Sequence, residues 1–385
     1  MKILALGGSG GMGRFAVRSL FNHKQVEKIY VADLNASSAI KFASDFDDRV
    51  EGLGLDITND AALKNKMSKV DIVVNTTGPF FKFAEPILET AIETNCNYFD
   101  ICDDWEPTEK MLLMNDDPRS SDITAILGLG ASPGLTNILA YISMMELDKV
   151  EKVYTGWDIS SAKPEEESSQ IGVNAAMLHG VEQMIGQVKV FKNRKYQMVR
   201  PLKAIKINYP SIGEKSANIF GHPEAVSFPY HHPEIKESLN LMHGEERGFI
   251  GMVKFIRLLI EMKLITKKTA ARILTWLEKS LTPKTQKLSS ITLPSVYGYA
   301  EGVKDGKNVA VGTTIDGDVR DLTMGEATSY PLACGVKMFI DGLIKGNGVH
   351  APESGIIDPR IFINYFAKEI DNGVEITPLT TKSEK

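Results

Sequence analysis

Six residues near the start, Gly8-Ser-Gly-Gly-Met-Gly13, restrict the fold more than any others. They follow an apolar run, Lys2-Ile-Leu-Ala-Leu-Gly7, and lead into Arg14-Phe-Ala-Val17, which sets a G-x-G-x-x-G between a predicted strand and a predicted helix. One glycine of such a turn lets the backbone reverse sharply, and the next admits a pyrophosphate where a Cβ would stand. The third, Gly13, lets the helix lie close on the strand. The helix start then points its free N–H groups and positive dipole end at the phosphates. A second predicted strand, Lys28-Ile-Tyr-Val-Ala32, ends in Asp33, twenty residues past Gly13, where a carboxylate would accept hydrogen bonds from ribose hydroxyls. The pattern predicts a dinucleotide site built from Gly8, Ser9, Gly10, Gly11, Met12, Gly13 and Asp33.

The carboxylate of Asp33 would repel a 2′-phosphate, and the following Leu34 and Asn35 offer no arginine to bind one. NAD is therefore favoured. Arg14 and Lys41 are near enough in sequence to leave NADP possible.

Strands are expected at residues 2–7, 28–33, 50–55, 70–75, 97–101 and 122–128, with helices near 12–22, 36–46, 59–67, 83–95 and 105–115. Such alternation over short connections predicts a doubly wound parallel sheet of the Rossmann type, covered on both faces. Thr76-Thr-Gly-Pro79 lies at the carboxyl end of the buried strand Asp71–Asn75, the edge that borders the ligand crevice, so Thr77, Gly78 and Pro79 are expected beside the nicotinamide ribose. Asp56, at the end of the third strand, is either a neighbour of the adenine or an N-cap of the next helix.

A boundary is expected near Gly128-Leu-Gly-Ala-Ser-Pro-Gly134. Residues 1–130 would form the dinucleotide domain, with the segment about 325–372 as the candidate to pack back on it. Residues 131–325 would form a second α/β (α+β) domain with a mixed or antiparallel sheet, carrying a helical insertion about 240–287. Its long strands are expected at Val150–Ile159, Tyr196–Ile207, Ser295–Lys304 and Asn308–Ile315, the last two joined by an Asp305-Gly-Lys307 turn. Residues 327–345 read as a helix, 348–370 as a segment ending in another, and 373–385 as a flexible tail.

At 385 residues the chain suffices for two cores, and a net charge of -5 with 43% hydrophobic residues argues against a nucleic-acid binder. Three cysteines without a C-x-x-C pair point to a reducing, cytoplasmic setting. No signal peptide and no long uncharged apolar run is visible. Residues 247–287 stand apart, with ten Lys/Arg against two Glu and Phe249, Met252, Val253, Ile256, Leu259 and Ile260 at helical spacing. They read as a helical hairpin packed on its own domain or on a second subunit, or as a basic amphipathic element in peripheral membrane contact.

Taken together the motifs resemble the saccharopine dehydrogenase-like (saccharopine reductase-like) NAD(P)-dependent oxidoreductases. The likeness is carried by Gly8–Gly13, by Asp71-Ile-Val-Val-Asn-Thr-Thr-Gly-Pro-Phe80, by Cys96-Asn-Tyr-Phe-Asp-Ile-Cys-Asp103 and by Gly128–Gly134. Thr328-Ser-Tyr-Pro331 and Gly348-Val-His-Ala-Pro-Glu353 through Asp358-Pro-Arg360 extend it toward the end. The resemblance implies a Rossmann domain, a second domain whose sheet helps form a homodimer, and hydride transfer at a carbon bearing nitrogen in a small amino-acid-derived substrate. It departs at Ala131-Ser132, where saccharopine-forming enzymes carry an acidic residue ahead of Pro-Gly, and after Trp157.

Imine reduction asks the protein mainly for position, exclusion of water and a proton-handling group. Asp103, just past the fifth strand, is the leading acid/base candidate; the alternative is a helix N-cap or a surface carboxylate. Asp100, within the strand, reads as structural. His179, in a segment that resembles the family's cleft helix, is the second catalytic candidate, and Asn174 of that segment a substrate-binding one. His222, His231 and His232 lack an acidic or Cys partner at ligand spacing, so no metal site is expected. Cys102 reads as a small buried side chain. The Tyr-x-x-x-Lys pair and the phosphate-binding G-x-x-x-x-G-K-[ST] are both missing. A carbon–oxygen dehydrogenase on the same plan, or a dinucleotide-binding protein without turnover, remain the alternatives.

Overall fold

The glycine turn opens a parallel sheet. The computed structural model describes residues 1–159, 161, 175–244, 249–280, 292–316, 322–370 and 377–384. It divides into two compact units, Met1–Ile138 with Gly325–Pro378, and Leu139–Met324 with Leu379–Lys385.

The first unit begins with β1 (Lys2–Leu6), α1 (Gly13–Phe21), β2 (Lys28–Asp33), α2 (Ala36–Ala43), β3 (Val50–Gly54), α3 (Asp60–Met67), β4 (Ile72–Asn75), α4 (Phe80–Glu93), β5 (Asn97–Asp100), α5 (Trp105–Leu113) and β6 (Thr124–Ile126). Ile3, Leu4, Ile29, Val31, Ile72, Val73, Phe99 and Ile126 are buried, as strands covered on both faces require. Two helices start on asparagine caps. Asn35 Oδ1 accepts from the Ser38 amide and Asn59 Oδ1 from the Ala62 amide. α4 begins at Phe80, a turn earlier than its apolar spacing suggests, with Pro79 as its N-cap.

Next come α6 (Leu135–Met145), β7 (Lys149–Asp158), α7 (Ala175–Gln183), β8 (Val188–Lys192), β9 (Lys195–Val199), β10 (Ala204–Tyr209), β11 (Gly213–Phe220), α8 (Glu224–His231), β12 (Glu237–His243), α9 (Phe249–Glu261), α10 (Lys267–Ser280), β13 (Val296–Lys304) and β14 (Lys307–Asp316). The strand expected over Tyr196–Ile207 is two strands, because the chain turns at Pro201 and at Leu202, whose φ is 62°. Residues 240–243, expected at the head of the helical insertion, instead finish β12. The sheet runs β10-β11-β12-β7-β13-β14-β16, and β8 and β9 pair off its path. β12 and β7 are parallel, whereas β12 pairs antiparallel with β11 and β8 and β7 antiparallel with β13, so the sheet is mixed.

The closing stretch supplies α11 (Met324–Ile340), β15 (Gly348–His350), α12 (Pro359–Ile370) and β16 (Thr377–Glu384). β15 adds a seventh strand to the first sheet, whose order is β15-β6-β5-β4-β1-β2-β3 with every pairing parallel. The strand order reverses between β1 and β4, the switch point at which α/β sheets bind ligands. The end of the chain is a strand rather than the expected tail. β16 joins the second sheet, where Thr380 and Thr313 hydroxyls lie 3.1 Å apart and Lys382 Nζ donates to Glu146 at 2.6 Å.

Candidate dinucleotide site

Gly7 ends β1 with a φ of 70°, and its amide donates to the Ala32 carbonyl at 2.9 Å. The Gly10 amide donates to the Gly7 carbonyl at 2.9 Å, closing the turn that aims α1 back across the sheet edge. A Cβ on Gly13 would lie 2.3 Å from the Gly7 carbonyl oxygen and 2.7 Å from both Gly8 Cα and Thr76 Oγ1, so only glycine fits. A Cβ on Gly11, by contrast, would meet nothing within 4 Å. The Met12 cap makes no side-chain cap hydrogen bond. Among the described residues no backbone carbonyl takes the Gly11, Met12 or Gly13 amides. These donors converge beside open space, an arrangement that suits an anion.

Asp33 closes β2 against this loop. Its Oδ2 accepts from the Ser9 hydroxyl at 2.7 Å and its Oδ1 from the Asn35 amide at 3.2 Å, which fixes the carboxylate and leaves further lone pairs for ribose hydroxyls. Leu34 beside it is 77% exposed. Asp56 is exposed just past β3, and the Thr58 hydroxyl and amide donating to its Oδ1 hold its carboxyl below the usual range. It does not cap α3; Asn59 does.

At β4, the Thr76 amide and hydroxyl both donate to the Leu6 carbonyl, tying β4 to the end of β1. The Thr77 amide donates to Asn75 Oδ1 at 3.0 Å. Thr77 Oγ1 is buried with no hydrogen-bond partner among the described residues, and it stands 3.1 Å from where a Gly7 Cβ would be. An orphaned hydroxyl of this kind costs about 1–3 kcal/mol unless a ligand or water satisfies it. Gly78 has open space on its side-chain face, and Pro79 starts α4.

A buried polar chain runs inward from Thr77. Asn75 Nδ2 donates to the Tyr98 hydroxyl at 3.0 Å, and Tyr98 donates to Asp100 Oδ2 at 2.8 Å. Asp100 Oδ1 accepts from the Cys102 amide at 3.1 Å and the Gly128 amide at 2.6 Å. Complete burial pushes the Asp100 carboxyl up to about 6 against the pull of these donors. Burial likewise holds Cys102 as a thiol. Asn75 and Tyr98 were not foreseen; the one signal was a polar residue closing the apolar strand Ile72–Val74.

The remaining sequence-predicted residues fall as follows. Asp103 is half-buried between β5 and α5, and next to it Asp104 accepts from the Phe81 amide at 3.1 Å, joining α5 to the first turn of α4. Asp104, not Asp103, is the N-cap position of α5. His179 lies half-buried on α7 in the second unit, its Nε2 3.1 Å from Gln183 Nε2. Asn174 lies outside the described residues. His222 stacks on Trp157 with ring centroids 5.5 Å apart, and His232 packs against Tyr141.

Comparison with known proteins places this geometry. Residues 3–126 match the family model described as the saccharopine dehydrogenase NADP binding domain. A carboxyaminopropylagmatine dehydrogenase from Synechocystis is 21% identical over 313 residues, covering 76% of each chain. The structure of apo saccharopine dehydrogenase (L-Glu forming) from Saccharomyces cerevisiae superposes with a TM-score of 0.61 at 18% identity, over 99% of each chain. The first likeness is one of sequence, and the last one of fold. The resemblance read from the motifs is therefore shown, and a nucleotide cofactor is supported for the first unit.

Proposed function

We propose that this saccharopine dehydrogenase-like chain is an NAD(P)-dependent oxidoreductase that transfers hydride at the carbon–nitrogen centre of an amino-acid-derived substrate. The reading rests above all on the glycine cradle, with its convergent amides and the unpartnered Thr77 hydroxyl at the carboxyl edge of the sheet. The carbon–nitrogen assignment draws on the relatives, one named for a carboxyaminopropyl substrate and the other as forming L-Glu. Saccharopine itself is not proposed, because Ala131 and Ser132 stand where saccharopine-forming enzymes carry an acid.

In this reading the Gly8–Gly13 loop and the start of α1 hold the diphosphate, and Asp33 holds the adenosine ribose. Thr77, Gly78 and Pro79 border the nicotinamide ribose, with Asp56 toward the adenine. The bound nicotinamide supplies or accepts the hydride. Asp103 and His179 are the proposed groups that deliver the balancing proton to nitrogen in reduction and remove it in oxidation.

The test follows absorbance of NADH and NADPH against a panel of amino acids paired with oxo acids and aldehydes. Turnover on at least one pair supports the proposal; tight cofactor binding without turnover on any pair overturns it in favour of a binding protein. Asp103→Asn should lower kcat about a hundredfold, the lower end of a general acid/base contribution, while leaving the dissociation constant of NADH unchanged. An unchanged kcat removes Asp103 from the mechanism.

Asp33 sets cofactor choice. Asp33→Ser should weaken NADH binding and shift the NADH:NADPH affinity ratio toward NADPH by about tenfold, the equivalent of 1.4 kcal/mol. Titration calorimetry with both cofactors measures it, and an unaltered ratio would show that Asp33 does not face the 2′ position.

A further inference from the structure

We propose that the outer face of the α9–α10 hairpin docks on an anionic lipid surface. The inner faces of both helices are accounted for. Val253 and Ile256 of α9, with Ala270, Ala271 and Leu274 of α10, pack in one core cluster with Val181, Phe220 and Met242. On the opposite side of α9, Phe255, Leu258 and Met262 recur at three- and four-residue steps and stand exposed, Phe255 at 58%. Leu264 in the connection is 63% exposed, and on α10 Ile273 and Trp276 stand exposed at helical positions turned away from Ala270, Ala271 and Leu274, Trp276 at 65%. A helix apolar on two opposite faces in an otherwise polar surface is built to be covered twice.

Charge identifies the cover. Lys263, Lys268 and Arg272 are exposed among these apolar side chains. Glu261, an exposed carboxylate of the hairpin, is already engaged by Arg200 and by Arg257. A second copy of this chain meeting this face through a two-fold axis would set cations against their own equivalents. Anionic headgroups neutralise the same cations while Phe255, Leu264 and Trp276 enter the boundary beneath them. No helix among the described residues is long and apolar enough to cross a membrane, so the contact proposed is peripheral.

The full chain is sedimented with vesicles of phosphatidylcholine plus phosphatidylserine, and with vesicles of phosphatidylcholine alone. The expected result is partitioning onto the mixed vesicles that falls about tenfold or more on the neutral ones and weakens as salt is raised. Lys263→Glu with Lys268→Glu should lower partitioning by a similar factor, and Phe255→Ser with Trp276→Ser should do so on both vesicle types. Because these side chains are exposed, the variants should melt as the parent does, which separates lost docking from lost folding. The proposal is overturned if the folded parent stays in the supernatant with mixed vesicles, or if all variants bind as it does. It is equally overturned if velocity sedimentation finds a dimer that Phe255→Ser with Trp276→Ser splits while vesicles are ignored.

Discussion

Gly13→Ala should lose dinucleotide binding by about a hundredfold or more and cost the fold about 1–3 kcal/mol, the range for forcing extra volume into a packed site. The atoms its Cβ would strike, the Gly7 carbonyl at 2.3 Å and Gly8 Cα at 2.7 Å, are backbone, so no rotamer change relieves them. Relief would require α1 to retreat from the loop, carrying the amides of its first turn out of convergence. Gly11→Ala separates binding from folding. Its Cβ meets no protein atom within 4 Å, so thermal stability should stay within about 0.5 kcal/mol of the parent. Cofactor affinity should nonetheless fall about tenfold or more, because the space beside Gly11 is where the diphosphate would rest. Calorimetric titration with NADH and NADPH, with melting curves alongside, reads both variants. A Gly11→Ala protein that binds either cofactor as tightly as the parent would place the diphosphate elsewhere.

The first unit was legible because its signals are local. Gly8 to Gly13 lie within one turn of chain, Asp33 follows at the spacing of one βαβ unit, and the buried Ile72–Val74 strand announces itself by composition alone. What stayed hidden depends on partners distant in sequence. Asn75, Tyr98 and Asp100 become one network only when β4, β5 and β6 lie side by side, which also supplies the Gly128 amide. β12 carries Ser238, Asn240 and His243, polar residues that argue against a buried strand until their partners are known. Asn240 Nδ2 donates to Thr155 Oγ1 at 3.0 Å and Glu224 Oε1 at 2.9 Å, and Trp157 Nε1 donates to Asn240 Oδ1 at 3.2 Å. The polar run at the end likewise reads as solvated until Glu146, Thr313 and Lys307 are brought beside it as β16.

Asp100→Ala should be the most destabilising single change in this network. It strands the Tyr98 hydroxyl and the amides of Cys102 and Gly128, three fully or nearly buried donors worth about 1–3 kcal/mol each when unpaired. Allowing for partial relief by water, the loss is about 3–5 kcal/mol, or about 10 °C in the melting temperature of a unit this size. Because Tyr98 also receives Asn75, and Asn75 holds the Thr77 amide, cofactor affinity should drop with it. Asp100→Asn keeps an acceptor for the two amides and should be milder, about 1–2 kcal/mol, and it isolates the titration. The folded carboxyl at about 6 lies above its unfolded value near 4, so between those limits the native state keeps a proton that the unfolded chain has released. The stabilisation from that proton is complete below about pH 4 and disappears as pH rises through about 6, at most about 3 kcal/mol for a two-unit difference. Urea unfolding of the parent should therefore weaken across this window relative to Asp100→Asn, with the two curves running parallel above it. Parallel curves at every pH would mean that the Asp100 carboxyl titrates in the fold as it does in the unfolded chain, its donors offsetting its burial.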